Sequence, residues 1–293
     1  MDVYRTPDAA FADLPGYAYT PNYVEFEGMR MHYLDEGSGD PILLLHGEPT
    51  WSYLYRRMIS PLAARFRVVA PDYLGFGRSD KPLQVEDYTY DLHVASIRAL
   101  VERLDLRRIT VVVQDWGGPI GLRVATEAQE RFARLVVLNT GLFASSGWPT
   151  PGFMQWRNFA ERVGRDLPVG RIIQSATTRE LDDETLRAYE APWPGPEAKA
   201  GVAAFPLLVP LTQDDPNAAA MLRVMEALRA WDVPALVCWS DSDPVFPLKA
   251  GEAMARLLPG AAGKMRTISG ASHMLQEDQG EQIADFILEW TAE

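Results

Sequence analysis

The sequence has little cysteine, a deficit of basic charge and no long apolar run. Cys238 is its one cysteine, which excludes a disulfide framework and a cysteine-based zinc site. The 293 residues carry 28 lysines and arginines against 40 aspartates and glutamates, a net charge of −12. Because an acidic body repels phosphate backbones, we expect no nucleic-acid partner.

The sequence also lacks a segment for membrane insertion or export. Its longest apolar stretch, residues 201–211, contains Pro206 and Pro210 and is too short to cross a bilayer. The first residues have neither the basic nor the apolar region of a secretory leader. We therefore expect no membrane association and a cytoplasmic location, and we expect the chain to be a monomer.

What is present is an alternation of short apolar runs with amphipathic helical patterns. Near-continuous runs of valine, isoleucine and leucine are typical of strands covered on both faces. Such runs lie at 42–45, 67–70, 109–113, 135–138, 235–239 and 264–268, after a hairpin pattern at 23–27 and 30–34. This alternation predicts an α/β protein with a mostly parallel central sheet flanked by helices.

The alternation stops after residue 138. From 141 to 212 no strand pattern appears, the segment is rich in proline, tryptophan and phenylalanine, and helical patterns lie at 153–163 and 182–189. A structureless loop of this length is improbable in a compact domain. We therefore predict a helical cap domain at 141–212, inserted after the sixth strand, and a core domain formed by 1–140 and 213–293.

The most informative residues follow the strand candidates, because ligands of open α/β sheets bind beyond the carboxyl ends of the strands. Residues 114–118, Gln-Asp-Trp-Gly-Gly, follow one strand and open a helical pattern. In hydrolases with this architecture such a turn carries the nucleophile, followed along the chain by an acid and a histidine. Here that order gives Asp115, Asp243 and His273, with Asp241 as a competing acid.

An aspartate in the nucleophile position indicates attack on saturated carbon. A carboxylate is ionised at neutral pH and needs no base to activate it, and its product is an ester that water must cleave. His273 would deprotonate that water, and Asp243 would orient the imidazole and stabilise its cation. The alternative is that Asp115 merely caps the helix that begins at Gly117.

Residues 114–118, together with 46–51 (His-Gly-Glu-Pro-Thr-Trp), resemble the haloalkane dehalogenases of the α/β-hydrolase fold. The resemblance runs from about 23 to 290 and points to the subfamily with a halide-binding tryptophan in the cap. It implies hydrolysis of small apolar haloalkanes to a primary alcohol, halide ion and a proton, with water as co-substrate and no cofactor. Asp115 replaces the serine of Gly-x-Ser-x-Gly, and Val113 stands at its first glycine.

The resemblance also implies roles for individual residues. It places the acid just before a Pro-Val pair, which favours Asp243. It implies two indole N–H donors for the departing halide, Trp116 and a cap tryptophan, and Trp156 matches the family pattern best. The other cap tryptophans, Trp148 and Trp193, remain alternatives.

The oxyanion donors would be the backbone N–H groups of Glu48 and Trp116. A glutamate at 48 supports a cap tryptophan as second halide donor, since a carboxylate would repel halide. The substrate pocket would be lined by Phe153, Phe205, Pro206, Val209, Val245 and Phe246, unless these side chains are simply core. We expect no metal site, because no two of the four histidines have ligand spacing.

Two other functions share parts of this pattern. An epoxide hydrolase has the same nucleophile and His–Asp pair but uses cap tyrosines to hold the epoxide oxygen. The predicted cap contains Tyr189 as its one tyrosine and three tryptophans, which favours halide as the leaving group. A non-catalytic small-molecule receptor would not need the set of Asp115, Asp243 and His273.

Overall fold

A computed structural model describes residues 2–143 and 149–292 of the chain. Its strands are β1 (Val3–Tyr4), β2 (Asn22–Phe26), β3 (Met29–Gly37), β4 (Pro41–Leu45), β5 (Arg67–Pro71), β6 (Lys81–Pro82), β7 (Ile109–Val113), β8 (Phe132–Val137), β9 (Ala235–Ser240) and β10 (Arg266–Ile268). Its α-helices are α1 (Arg56–Ala63), α2 (Tyr90–Arg103), α3 (Gly117–Glu127), α4 (Pro151–Val163), α5 (Val169–Ser175), α6 (Asp183–Glu190), α7 (Ala200–Leu208), α8 (Ala218–Arg229), α9 (Leu248–Leu257) and α10 (Leu275–Trp290).

Eight strands form one central sheet, in the order β10-β9-β8-β7-β4-β5-β3-β2. The pairs β2–β3 and β3–β5 are antiparallel, and every other neighbouring pair is parallel. All residues of β4 and β7 are buried, as expected for apolar strands covered on both faces. The α/β prediction and the mostly parallel sheet are therefore confirmed.

The helices of the core form two groups. Helix α1 packs against α10, while α3 packs against α2, α8 and the central strand β7. Because β4, β7, β8, β9 and β10 run parallel, their carboxyl ends meet at one edge of the sheet. The residues that follow these strands are thereby brought to a common place.

Between β8 and α8 the described residues form the helices α4 to α7 and no strand. Helix α4 begins where its sequence predicts a start: the Thr150 hydroxyl accepts from Phe153 N–H, and Pro151 occupies the first turn. It ends at Gly164, whose φ of 58° favours glycine. The division into core and cap at 141 and 212 stays a prediction. No helix within the described part of the chain is long and apolar enough to cross a membrane.

Candidate active site

Asp115 lies in a sharp turn between β7 and α3. Its φ is +49°, a region that side chains other than glycine rarely adopt and that is often found at functional sites. The turn is held by three bonds: Asp115 N–H donates to Asn139 O (2.8 Å), and Asp115 O accepts from Gly118 N (2.9 Å) and Thr140 Oγ1 (2.5 Å). The strand-to-helix turn thus raises the Asp115 side chain above the sheet edge.

Two glycines let neighbouring segments approach this turn. A Cβ at Gly47 would overlap the Asp115 side chain, and a Cβ at Gly118 would overlap the Thr140 side chain. The loop after β4 therefore lies directly against the aspartate. From that loop Glu48 N–H donates to Asp115 Oδ1 at 2.8 Å.

His273 lies between two carboxylates. Its Nε2 is 3.6 Å from Asp115 Oδ2, and its Nδ1 is 2.9 Å from Asp243 Oδ2. Burial opposes the imidazolium, but the carboxylates of Asp243 and Asp115 outweigh burial and raise the pKa of His273 to about 10. In this arrangement His273 is cationic at neutral pH and forms an ion pair on either side.

The Asp243 carboxylate accepts hydrogen bonds from several groups besides His273. Its Oδ1 accepts from the backbone N–H groups of Val245 (2.7 Å) and Phe246 (3.0 Å), and its Oδ2 also accepts from Asn139 Nδ2 (2.7 Å). Burial would raise the pKa of Asp243, but His273 and these donors lower it below its ordinary value. Asp243 is therefore a fixed anion beside the imidazole.

The competing acid has another place in the structure. Asp241 is exposed, and its carboxylate accepts from the backbone N–H groups of Gly270 (3.0 Å) and Ala271 (3.4 Å). It thereby shapes the loop that leads to His273. Asn139, which follows β8, contacts the catalytic candidate Asp243.

The Glu48 side chain is buried beside the nucleophile candidate. It is 5% exposed, and its Oε1 has no hydrogen-bond partner among residues 2–143 and 149–292. Burial, and then the charge of Asp115, raise the pKa of Glu48 well above its ordinary value, although His273 acts in the opposite direction. Both influences favour the neutral acid, which would repel halide less than an ionised carboxylate does.

A cavity of about 550 Å³ opens above Asp115. Its walls come from the loop after β4, from helices α4, α5 and α7, and from the loops that carry Asp243 and His273. Five of the six residues expected to line a pocket do line it: Phe153, Pro206, Val209, Val245 and Phe246. The sixth, Phe205, is not among the lining residues.

Phe205 is fully buried behind the cavity wall. Its ring packs against Trp116 with centroids 5.2 Å apart, against Phe76 at 4.7 Å and against His93 at 4.5 Å. It therefore supports the Trp116 ring from behind. Placing Phe205 in the pocket was wrong because every residue of α7 is apolar, so its sequence does not tell which side faces the cavity.

The tryptophans differ in what their indole N–H groups do. Trp116 and Trp156 both line the cavity, and the indole N–H of neither donates a hydrogen bond to any residue in the described part of the chain. Trp193 is buried elsewhere and donates from Nε1 to Gly75 O at 3.1 Å, so its donor is already used. Trp148 lies outside the described residues.

Hydrogen bonds from Asp278 and Gln114 hold the loop that carries His273 in place. The Asp278 carboxylate accepts from Ser272 N–H (2.9 Å), next to His273, and from Thr178 N–H (2.9 Å) between α5 and α6. Gln114, next to the nucleophile candidate, donates from Nε2 to His273 O (3.1 Å). No sequence pattern indicated this role of Asp278, since the residue lies within a helix.

Comparisons with known proteins agree with this geometry. Residues 40–279 match the family of the alpha/beta hydrolase fold. A haloalkane dehalogenase of Mycobacterium marinum is 46% identical, over 99% of this chain and 100% of that protein. Haloalkane dehalogenase 1 of Mycobacterium tuberculosis (strain ATCC 25618 / H37Rv) is 48% identical, over 99% of both.

Solved structures give the same relationship. Haloalkane dehalogenase DpaA from Paraglaciecola agarilytica NO2 superposes with a TM-score of 0.91 at 37% identity, over 99% of this chain and 98% of that one. The dehalogenase DatA from Agrobacterium tumefaciens C58 has a TM-score of 0.81 at 26% identity, over 98% and 99%. The chain therefore belongs to the haloalkane dehalogenases of the α/β-hydrolase fold.

Proposed function

We propose that Asp115, His273 and Asp243 hydrolyse small apolar haloalkanes through a covalent ester on Asp115. The observation that carries the proposal is the position of the Asp115 carboxylate at the base of an apolar cavity, with His273 Nε2 at 3.6 Å and two free indole donors in the walls. The overall reaction consumes one water and yields a primary alcohol, a halide ion and a proton.

In the first step an Asp115 oxygen bonds to the carbon that bears the halogen. Glu48 N–H holds Oδ1, which leaves Oδ2, on the side of His273, as the attacking atom. The carbon–halogen bond breaks and the halide leaves with the electron pair. The indole N–H groups of Trp116 and Trp156 donate to it, and donors already aimed at the developing charge lower the barrier.

In the second step water cleaves the ester. Because the ester removes the Asp115 charge, His273 first releases its proton to solvent. Its neutral Nε2 then takes a proton from water as the water oxygen bonds to Asp115 Cγ, and negative charge develops on Oδ1. The backbone N–H of Glu48, already 2.8 Å from Oδ1, and the backbone N–H of Trp116 stabilise that charge. When the Cγ–oxygen bond to the substrate breaks, imidazolium gives its proton to the alkoxide, and the proton of the new Asp115 carboxylic acid passes to His273 as the carboxylate re-forms.

The covalent step can be tested by trapping. His273→Phe removes the base, so incubation with 1-bromobutane should add one butyl mass to the intact protein and release one bromide per chain. Asp115→Asn should release no bromide at early times. An unmodified mass for the His273 variant, with the fold intact by circular dichroism, would refute the ester.

The alternative activity, epoxide hydrolysis, is tested in the same experiment. Tyr189 is fully buried and donates to Glu277 Oε2 at 2.6 Å, and no tyrosine is among the described residues that line the cavity. We therefore expect bromide release from 1-bromobutane and no diol from 1,2-epoxybutane. Diol formation at a comparable rate would favour an epoxide hydrolase.

The assembly and location of the protein are further parts of the proposal. We expect a monomer in the cytoplasm, although the structure of the related DpaA is described as tetrameric. Light scattering after gel filtration gives the mass of the particle, to be compared with 32.7 kDa for one chain. Fractionation of the producing cell gives the location.

A further inference from the structure

The active-site cavity has a cationic side chain at its outer end. Arg171 lines the cavity and is exposed, whereas Asp115, Trp116 and His273 at the base are largely buried. Among the described lining residues Arg171 and His273 are the only ones that can carry positive charge. His273 is occupied by two carboxylates, so Arg171 is the cation open to a ligand.

The position of Arg171 on α5 follows from helical spacing. Pro168, Arg171, Ile172 and Ser175 all line the cavity, and this spacing puts them on one face of the helix. The same face therefore supplies an apolar wall and, at its exposed end, a guanidinium. The guanidinium makes no ion pair or hydrogen bond with any side chain in the described part of the chain.

A second polar group lies at the exposed part of the cavity. Gln155, on α4, also lines it and is exposed, and its amide donates to nothing among the described residues. Ser175 differs, because its hydroxyl already donates to Ile172 O at 2.8 Å. The open end thus offers a guanidinium and an amide, both donors, beyond walls formed by Phe159, Val209 and Val245.

From these positions we propose that Arg171, assisted by Gln155, binds the carboxylate of ω-haloalkanoic acids while the halogen end reaches Asp115. The inference rests on the proposed function, since it extends that cavity to a new substrate class. A guanidinium matches a carboxylate in a bidentate, charge-assisted geometry. It would also offset the repulsion that a chain with net charge −12 exerts on an anionic substrate.

An adjoining groove supplies a control. The groove is lined by Arg171, Asp183, Arg187 and Glu190. Arg187 is exposed and lines this groove but not the active-site cavity. Arg187→Gln therefore removes the same charge from the same surface and leaves the cavity unchanged.

The experiment compares 6-bromohexanoate with its methyl ester, which has the same chain without the charge. In Arg171→Gln, kcat/KM for the acid should fall about threefold or more through KM, the size expected for a partly exposed ion pair. The value for the ester should change by less than about twofold, and Arg171→Lys should restore part of the loss. Sodium sulfate should lower kcat/KM for the acid in wild type and have little effect in Arg171→Gln.

Three outcomes with the variants would overturn the inference. They are an equal change for acid and ester, an unchanged value for the acid, or the same loss in Arg187→Gln. Wild type that releases bromide from the ester but not from the acid also overturns it. If wild type releases bromide from neither, nor from 1-bromobutane, the proposed function itself fails, which separates the two failures.

Discussion

Asn139 joins the acid of the site to the end of the neighbouring strand. Its Nδ2 donates to Asp243 Oδ2 at 2.7 Å, the same oxygen that faces His273 Nδ1, and its Oδ1 accepts from Ser240 N–H at 2.9 Å. The amide is fully buried and oriented by both bonds. Asn139 therefore fixes where Asp243 can hold the imidazole.

Removing this amide should slow ester hydrolysis more than ester formation. Asn139→Ala takes away a hydrogen bond to a buried carboxylate, a contact of about 1.5–3 kcal/mol, so we expect kcat to fall about tenfold or more. Rapid-quench kinetics with a bromoalkane should show a bromide burst followed by a slower steady state. Asn22→Ala, on the edge strand β2, is the matched control and should leave kcat unchanged. A loss of the burst itself would contradict a role in positioning the acid and histidine.

The pH dependence of hydrolysis follows from the charges around His273. Burial lowers its pKa, while Asp243 and Asp115 raise it to about 10 in the free enzyme. Alkylation removes the Asp115 charge, so the pKa of His273 should fall in the ester and the neutral base should form at lower pH. Hydrolysis rates from single turnovers should therefore rise with pH along a limb with its midpoint below about 10. A midpoint at or above the free-enzyme value would refute this coupling.

Much of this site could be predicted from sequence because strand ends carry it. Asp115, Asp243 and His273 each follow an apolar run, and parallel strands bring such positions to one edge. Helix α7 could not be predicted, because Pro206 and an apolar surface all round conceal any helical period. The helix still forms, since its proline lies in the last turn and buried contacts surround it.

The burial of Glu48 could not be predicted from the sequence either. A glutamate in a loop is ordinarily solvated, and only the approach of the β4 loop to Asp115 shows that this one is buried. Asn139 was missed for a related reason: its role depends on β8 lying beside β9, which places it against Asp243. Tertiary neighbours, not local patterns, decide both residues.

The protonation of Glu48 can be tested by an isosteric change. Burial and the charge of Asp115 raise the pKa of Glu48 and so favour the neutral acid, which an amide mimics. We therefore expect Glu48→Gln to retain kcat within about threefold at neutral pH. Asp243→Asn is the contrasting control, because that carboxylate must be ionised, and it should lose about a hundredfold or more. The measurement is bromide release between about pH 6 and pH 9. A loss for Glu48→Gln comparable to that of Asp243→Asn would show that the carboxylate is ionised.

Halide binding should depend on Trp156 and not on Trp193. If Trp116 and Trp156 donate to the ion, bromide should quench tryptophan fluorescence with saturation, and Trp156→Phe should weaken the apparent affinity about tenfold by removing a hydrogen bond to a charge. Trp193→Phe is the matched control, since its indole donates to Gly75 O and lies outside the cavity. A titration that is unchanged in Trp156→Phe would remove Trp156 from the halide site.

The stability of the contact between α6 and α10 depends on Glu277. This buried carboxylate accepts from Arg56 Nη2 at 2.8 Å and from the Tyr189 hydroxyl of α6 at 2.6 Å. Tyr189→Phe removes one hydrogen bond and should lower the free energy of unfolding by about 1–2 kcal/mol. Glu277→Ala leaves the Arg56 guanidinium buried without its partner, which should cost about 3–5 kcal/mol. Urea unfolding followed by fluorescence and by circular dichroism measures both. Because neither side chain lines the cavity, kcat of the folded Tyr189→Phe variant should stay within about twofold of wild type. A loss of stability in Glu277→Ala no larger than that in Tyr189→Phe would show that the ion pair contributes little.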